Sequence, residues 1–111
     1  MASSSPLLTA HLLFPIVEVA PPDSKEIWIE ALHNCENVNN VPRILDTNDK
    51  YSYGYLMFQM KTWLKYGKEL GATRENIKDN ELQKKVARSI LDAGGSSHWW
   101  NCSKKIGLYP S

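Results

Sequence analysis

Apolar residues return at helical spacing in three separate stretches of this chain, and that recurrence does most to limit what it can fold into. Ile27, Trp28, Ala31, Leu32 and Cys35 form the first stripe, while Lys25, Glu26, Glu30 and His33 fall off it. Asp23 followed by Glu26 has the spacing of a capping box, so a helix is predicted from about Ser24 to about Glu36. Met60, Trp63, Leu64 and Leu70 mark the inward face of a second helix, which Gly71 stops. Leu82, Val86, Ile90 and Leu91 give a third, opened by Asn80 with Gln83 and ended by Gly94-Gly95. Ser97 is placed to cap a short last helix carrying Trp99, Trp100 and Cys102, closed by Gly107 and Pro110. The expected fold class is therefore mainly α. With 111 residues the chain has material for one compact domain around one modest core.

Between the first and second stripes the periodicity stops. Asn39, Asn40, Pro42, Asp46, Asn48 and Asp49 are turn formers. Val41 to Leu45 is a candidate short β segment, weakened by Pro42. Gly54 marks a tight turn, and Tyr55 to Met60 leads into the second helix. A long irregular connection in a small domain is often functional. Residues 1–22 read as an N-terminal tail and apolar arm. Met1 to Ser5 is small and polar and expected to be disordered; Leu7 to Ala20 is apolar without a clean period, and Pro21-Pro22 ends it. Residues 23–111 are the expected domain.

Several function classes are disfavoured. Thirteen Lys and Arg against twelve Asp and Glu leave a net charge of +1, so no basic face is offered to nucleic acid, and the bulk charge makes no case for an acidic substrate. No run of about 18 apolar residues exists to span a membrane, since Pro15 and Glu18 interrupt the apolar arm. No basic residue precedes that arm, which makes it a poor secretory signal. His11, His33 and His98 with two cysteines match no standard zinc spacing. Gly94-Gly95 is a helix stop rather than a phosphate loop. No metal or cofactor is expected. Lys84, Lys85 and Arg88 read as a solvated helix face, or as a contact for anionic cell-wall polymers. Four Trp and five Tyr either fill the core or line a groove suited to sugar rings. Cys35 and Cys102 either pair, which would be worth roughly 4 kcal/mol in loop entropy, or stay as buried thiols.

Glu36 stands out. It lies four residues after Leu32 and eight after Trp28, so it borders the apolar face at the C-terminal end of the first helix. Desolvation and the negative end of the helix dipole both favour its protonated form there. Cleavage of a glycosidic bond needs such a group, because the leaving oxygen must receive a proton. The bland alternative is a solvated glutamate at a helix end.

His33-Asn34-Cys35-Glu36 closes a helix and is followed by the turn-rich loop, then by Ser52-Tyr53-Gly54-Tyr55-Leu56-Met57-Phe58-Gln59 and Thr62-Trp63. This order resembles the lysozyme-like superfamily, nearest to its soluble lytic transglycosylase and goose-type lysozyme branch, over roughly Asp23 to Tyr109. That branch carries a single catalytic Glu at the end of a core helix and, further on, a Gly-x-x-Gln-type turn opening the next helix. The resemblance implies a compact lysozyme-like domain, with Glu36 as general acid and then general base. It implies a sugar-binding surface built from Tyr53, Gly54, Tyr55, Met57, Gln59 and Trp99. It also favours a Cys35–Cys102 disulfide, and with it an oxidising, extracytoplasmic compartment. Peptidoglycan or a related glycan is the expected partner, and the chain is expected to act as a monomer.

Three departures from that branch matter. Asn37 stands where many members have Ser. Met57 stands where the turn carries Gln, and a thioether lacks an amide's donors; Gln59 is a candidate to take over part of that role. The third helix also has no Tyr, leaving Tyr66, Tyr109 or one of Trp99 and Trp100 for that place. A hydrolase needs a second carboxylate, for which Asp46 and Asp49 are the nearby candidates. A lytic transglycosylase needs only Glu36, because the sugar's own hydroxyl attacks. Non-hydrolytic cleavage of the MurNAc–GlcNAc bond is therefore the first expectation. Hydrolysis and an inactive glycan-binding module are the alternatives.

Overall fold

A computed structural model of the chain describes residues 23–110. The N-terminal tail, the apolar arm Leu7 to Ala20 and Ser111 lie outside the described residues. Helix α1 (Ser24–Glu36) is followed by three short strands, β1 (Arg43–Leu45), β2 (Tyr51–Tyr53) and β3 (Phe58–Gln59). Then come α2 (Met60–Gly67), α3 (Asn80–Asp92) and α4 (Trp100–Ile106). Single 3₁₀ turns follow α2 at Lys68–Leu70 and precede α4 at Ser96–Trp99. The fold is mainly helical, and the long connection holds a small antiparallel sheet of order β1-β2-β3, with β1 inside the candidate β segment Val41 to Leu45. Ile44 lies opposite Ser52, and Ser52 opposite Gln59.

Asp23 caps α1, its carboxylate accepting the backbone N–H of Glu26 at 2.7 Å, the first half of the expected capping box. The buried stripe differs from the expected one by one position. Trp28, Ile29 and Leu32 face the core, whereas Ile27 is exposed. Two isoleucines flank Trp28, and spacing alone does not rank them. Leu70 is also exposed, because the 3₁₀ turn and Gly71 carry the chain away before that residue can face inward. On α3 it is Asp79, not Asn80, that caps, accepting the N–H of Leu82. No side-chain cap bond supports α4; Ser97 lies within the preceding 3₁₀ turn.

Trp63, Leu32, Leu56 and Val86 are fully buried at the centre of the core, with Phe58, Ile90, Leu91 and Trp99 around them. A Cys35–Cys102 disulfide joins the end of α1 to α4, with the Cα atoms 5.7 Å apart. Gln83 is the unexpected member of this interior. Its short-range spacing suggested a cap partner, yet it is completely buried. Its Oε1 accepts the Leu56 N–H at 2.7 Å, and its Nε2 donates to the carbonyls of Tyr53 and Ile77. A buried amide saturated in this way pins the β2–β3 turn to α3. Gly54 makes the approach possible: its φ is +73°, and a Cβ there would sit 2.5 Å from Gln83 Nε2.

Gln83→Leu keeps the volume but orphans Leu56 N–H and two carbonyls, so it is expected to cost about 2–4 kcal/mol. Urea unfolding should show this as a lower midpoint at an unchanged slope.

Candidate active site

Glu36 ends α1, and the residue after it ties that end to the sheet. Asn37 is 3% exposed. Its Oδ1 accepts the Val41 N–H at 2.9 Å, while its Nδ2 donates to the carbonyls of Val41 and Gly54, each at 2.8 Å. The Asn in place of Ser is therefore a structural clamp. It holds the helix terminus against the Gly54 turn and leaves the Glu36 side chain half-buried beside it.

Glu36, Asp46, Ser52, Met57, Gln59 and Trp99 line one pocket of about 270 Å³, together with Phe58, Thr62 and His98. Burial raises the Glu36 carboxyl to a pKa of about 6, and the negative charge of Asp46 adds to the rise. Asp46 is driven the other way. Its Oδ2 accepts the Ser52 hydroxyl at 2.7 Å and, more weakly, the Gln59 amide at 3.4 Å; its Oδ1 accepts the Thr47 N–H at 3.0 Å. These donors, the Ser52 hydroxyl first, hold the Asp46 carboxyl below its usual range. One pocket thus contains a carboxyl group favouring its proton and a carboxylate favouring its charge, the division of labour that acid-catalysed bond cleavage uses.

Strand geometry selects between the two aspartates. Asp46 follows β1, at the base of the hairpin loop, and its backbone N–H bonds to the Lys50 carbonyl at 2.8 Å. Ser52 comes from the middle of β2 and Gln59 from β3 opposite it, so all three polar groups meet on one face of the sheet. Asp49 sits at the hairpin tip with φ +61° and lines a different pocket.

The other residues of the expected sugar surface divide. Met57, Gln59 and Trp99 line the Glu36 pocket; Tyr53, Gly54 and Tyr55 are not among its lining residues. Tyr53 opens onto the neighbouring pocket. Tyr55 stacks on His33 with ring centroids 3.5 Å apart, and its hydroxyl bonds Glu30 on α1. Gly54 serves as the turn itself. Met57 holds a left-handed backbone, φ +54°, which closes the turn through its N–H to the Gly54 carbonyl at 3.1 Å. Trp99 is fixed by donating to the Leu56 carbonyl at 2.8 Å and packs edge-on to Phe58. Of the aromatics considered for the missing helix Tyr, Trp99 is the one in the pocket. Tyr66 packs on His98, and Tyr109 packs edge-on to Trp28 and bonds Asp92.

Ser52, Thr62 and His98 were not expected here. Ser52 had a readable signal, since it follows Asp46 across a hairpin, whereas Thr62 and His98 reach the pocket only through tertiary packing. Of the residues considered as a metal set, Cys35 and Cys102 are joined in the disulfide, and His11 lies outside the described residues. Among the described residues no group of three or more His, Cys, Asp or Glu side chains is arranged to hold a metal ion. No helix among those residues is long and apolar enough to cross a membrane.

A family model for a transglycosylase-like domain matches residues 23–102, most of the chain and all of the pocket described above. No curated protein and no solved structure gives a significant match.

The raised Glu36 pKa also carries a stability consequence. Its folded-state value of about 6 exceeds the ordinary 4.5. The folded protein therefore binds this proton more tightly, and stability falls as pH rises from about 4.5 through 6. Glu36→Gln removes that loss. Its melting temperature is expected to exceed the parent's by a few degrees at pH 8, the gain being limited by solvent screening, with no difference below pH 4.5. Thermal scans across that pH range check it.

Proposed function

Because this chain belongs to the transglycosylase-like domain family, we propose that it cleaves the glycan strand of peptidoglycan at the MurNAc–GlcNAc β-1,4 bond, with Glu36 as its single acid and base. The observation that carries this reading is the half-buried Glu36 carboxyl, with a pKa of about 6, on the wall of a pocket it shares with Asp46. A group of that pKa is protonated often enough near neutrality to donate, and is basic enough to recover the proton.

In the proposed step Glu36 gives its proton to the glycosidic oxygen as the C1–O bond breaks. The GlcNAc fragment leaves as an alcohol, and positive charge develops on C1 and the ring oxygen of MurNAc. The C6 hydroxyl of the same MurNAc then attacks C1, and its proton passes to the Glu36 carboxylate. The product carries a 1,6-anhydro ring, and Glu36 returns to its starting form. Asp46, ionised and anchored by Ser52, would face the developing positive charge and stabilise it. Trp99 lines the wall of the pocket, and the Gln59 amide, held by Asn48 and Asp46, borders it. Such an enzyme would work outside the cytoplasm, a setting in which the Cys35–Cys102 disulfide persists.

A second reading, hydrolysis, draws on the same Asp46. A carboxylate in the pocket can orient water as well as stabilise charge, and water attacking C1 would leave a reducing end. Met57 in place of the amide in the Gly54 turn supports a third reading, a module that binds glycan without cutting it.

Purified peptidoglycan incubated with the protein, followed by mass analysis of the fragments, separates the three. The proposal expects 1,6-anhydro ends, lost with Glu36→Gln by about 10²–10⁴-fold. Reducing ends that depend on Glu36 establish hydrolysis instead, and binding without new ends, unchanged in the variant, establishes the module. Cleavage should decline as pH rises through about 6, where Glu36 loses its proton.

A further inference from the structure

Gln59 lines two openings at once. One is the Glu36 pocket. The other, about 520 Å³, lies along β2, α2 and the loop before α3, and includes Lys50, Tyr51, Tyr53, Lys61 and Arg74. We propose that this second pocket binds the carboxylate-bearing peptide carried by the glycan, so that the chain recognises peptide-substituted strands in preference to bare ones. The inference rests on the peptidoglycan reading above.

Three cations, Lys50, Lys61 and Arg74, line the pocket against a single carboxylate, Asp49. The ion pairs formed between described residues use Lys25, Lys84 and Arg88, and none engages those three cations. Arg43 adds to the same side, its guanidinium lying 4.2 Å from the centroid of the Tyr51 ring. An overall charge near zero therefore conceals a local surplus beside the site. Arg presents a fork of donors that matches a carboxylate, and Lys a mobile point charge.

In peptidoglycan the peptide is attached to MurNAc, the sugar whose C1 would react. A strand seated in the Glu36 pocket must send that peptide across one of its rims. Gln59, on the edge strand β3, borders both pockets, and around that edge Tyr51 and Tyr53, ring centroids 6.3 Å apart, offer apolar faces to the peptide's aliphatic parts. The larger groove between α1 and α3, about 780 Å³, is a poorer host. Its cations Lys84, Lys85 and Arg88 face Glu26, Glu30 and Glu81, and it shares no lining residue with the Glu36 pocket.

Calorimetric titration of the Glu36→Gln protein, which should bind without consuming its ligand, tests this with three soluble probes. They are the GlcNAc–MurNAc disaccharide bearing its peptide with free carboxylates, the same compound with those carboxylates amidated, and the peptide-free disaccharide. The free-carboxylate form should bind about five- to tenfold more tightly than the amidated form, an advantage that shrinks with added salt. Adding Lys61→Gln and Arg74→Gln should abolish that advantage while leaving affinity for the peptide-free disaccharide and the melting temperature unchanged. Equal affinity for the free and amidated forms, or no binding of any probe, overturns the inference. So does a double substitution that weakens the peptide-free disaccharide equally. The wild-type protein assayed for cleavage in parallel keeps the two claims apart. Cleavage without carboxylate preference sinks only the peptide pocket, and carboxylate preference without cleavage sinks only the catalytic reading.

Discussion

Two buried amides, Asn37 and Gln83, hold the Gly54 turn from opposite sides, and the rest of the site hangs on that grip. Between them they satisfy the carbonyls of Tyr53 and Gly54 and the N–H of Leu56. Trp99 completes the set by donating to the Leu56 carbonyl. A turn of this shape would otherwise bury polar backbone groups at a cost of about 1–3 kcal/mol each. Once these partners are fixed, Met57 and Gln59 are directed to the pocket, and the end of α1 can be no further from the sheet than the Asn37 side chain allows. Glycine at position 54 is part of the same constraint, because any Cβ there would displace Gln83.

The disulfide reinforces this arrangement from the other end. Cys35 precedes the carboxylic acid of the pocket and Cys102 follows its tryptophan by three residues, so one covalent link joins the two segments that supply Glu36 and Trp99. A closed loop with a sequence separation of 67 limits the unfolded ensemble by roughly 4 kcal/mol in the chain-entropy account. For a core this small that is a large share of what is available. Such a frame tolerates a half-buried Glu36 beside a charged Asp46, a pairing that is unfavourable for the fold.

Much of this was readable from residue order. The cap at Asp23, the stripe ending at Glu36, and the glycine stops at Gly71 and Gly94 are local signals; α1 and α3 appear where they place them, while α2 gives way at Gly67 to a 3₁₀ turn before Gly71. Glu36 was legible as a carboxyl group on the border of an apolar face, and Asp46 as one of two aspartates in reach. The remainder depends on partners distant in sequence. Gln83 bonds groups some 27 and 30 residues away, so its short-range spacing suggested the wrong role. β2 and β3, three and two residues long, are too brief to display alternation. Ile29 and Ile27 were indistinguishable until the packing of α1 against α3 and α4 decided which faced inward. Tyr55 sits next to the turn in sequence, yet its ring is captured by His33 and Glu30 on α1.

Solvent exclusion and one neighbouring carboxylate keep the Glu36 side chain protonated well above the normal range. A carbon-13 NMR titration of the side-chain carboxyl carbons measures this without any substrate. The expected Glu36 midpoint lies near pH 6 and moves down, toward the ordinary 4.5, when Asp46 is replaced by Asn. A midpoint at or below 4.5 in the unaltered protein, or one indifferent to Asp46, would contradict it.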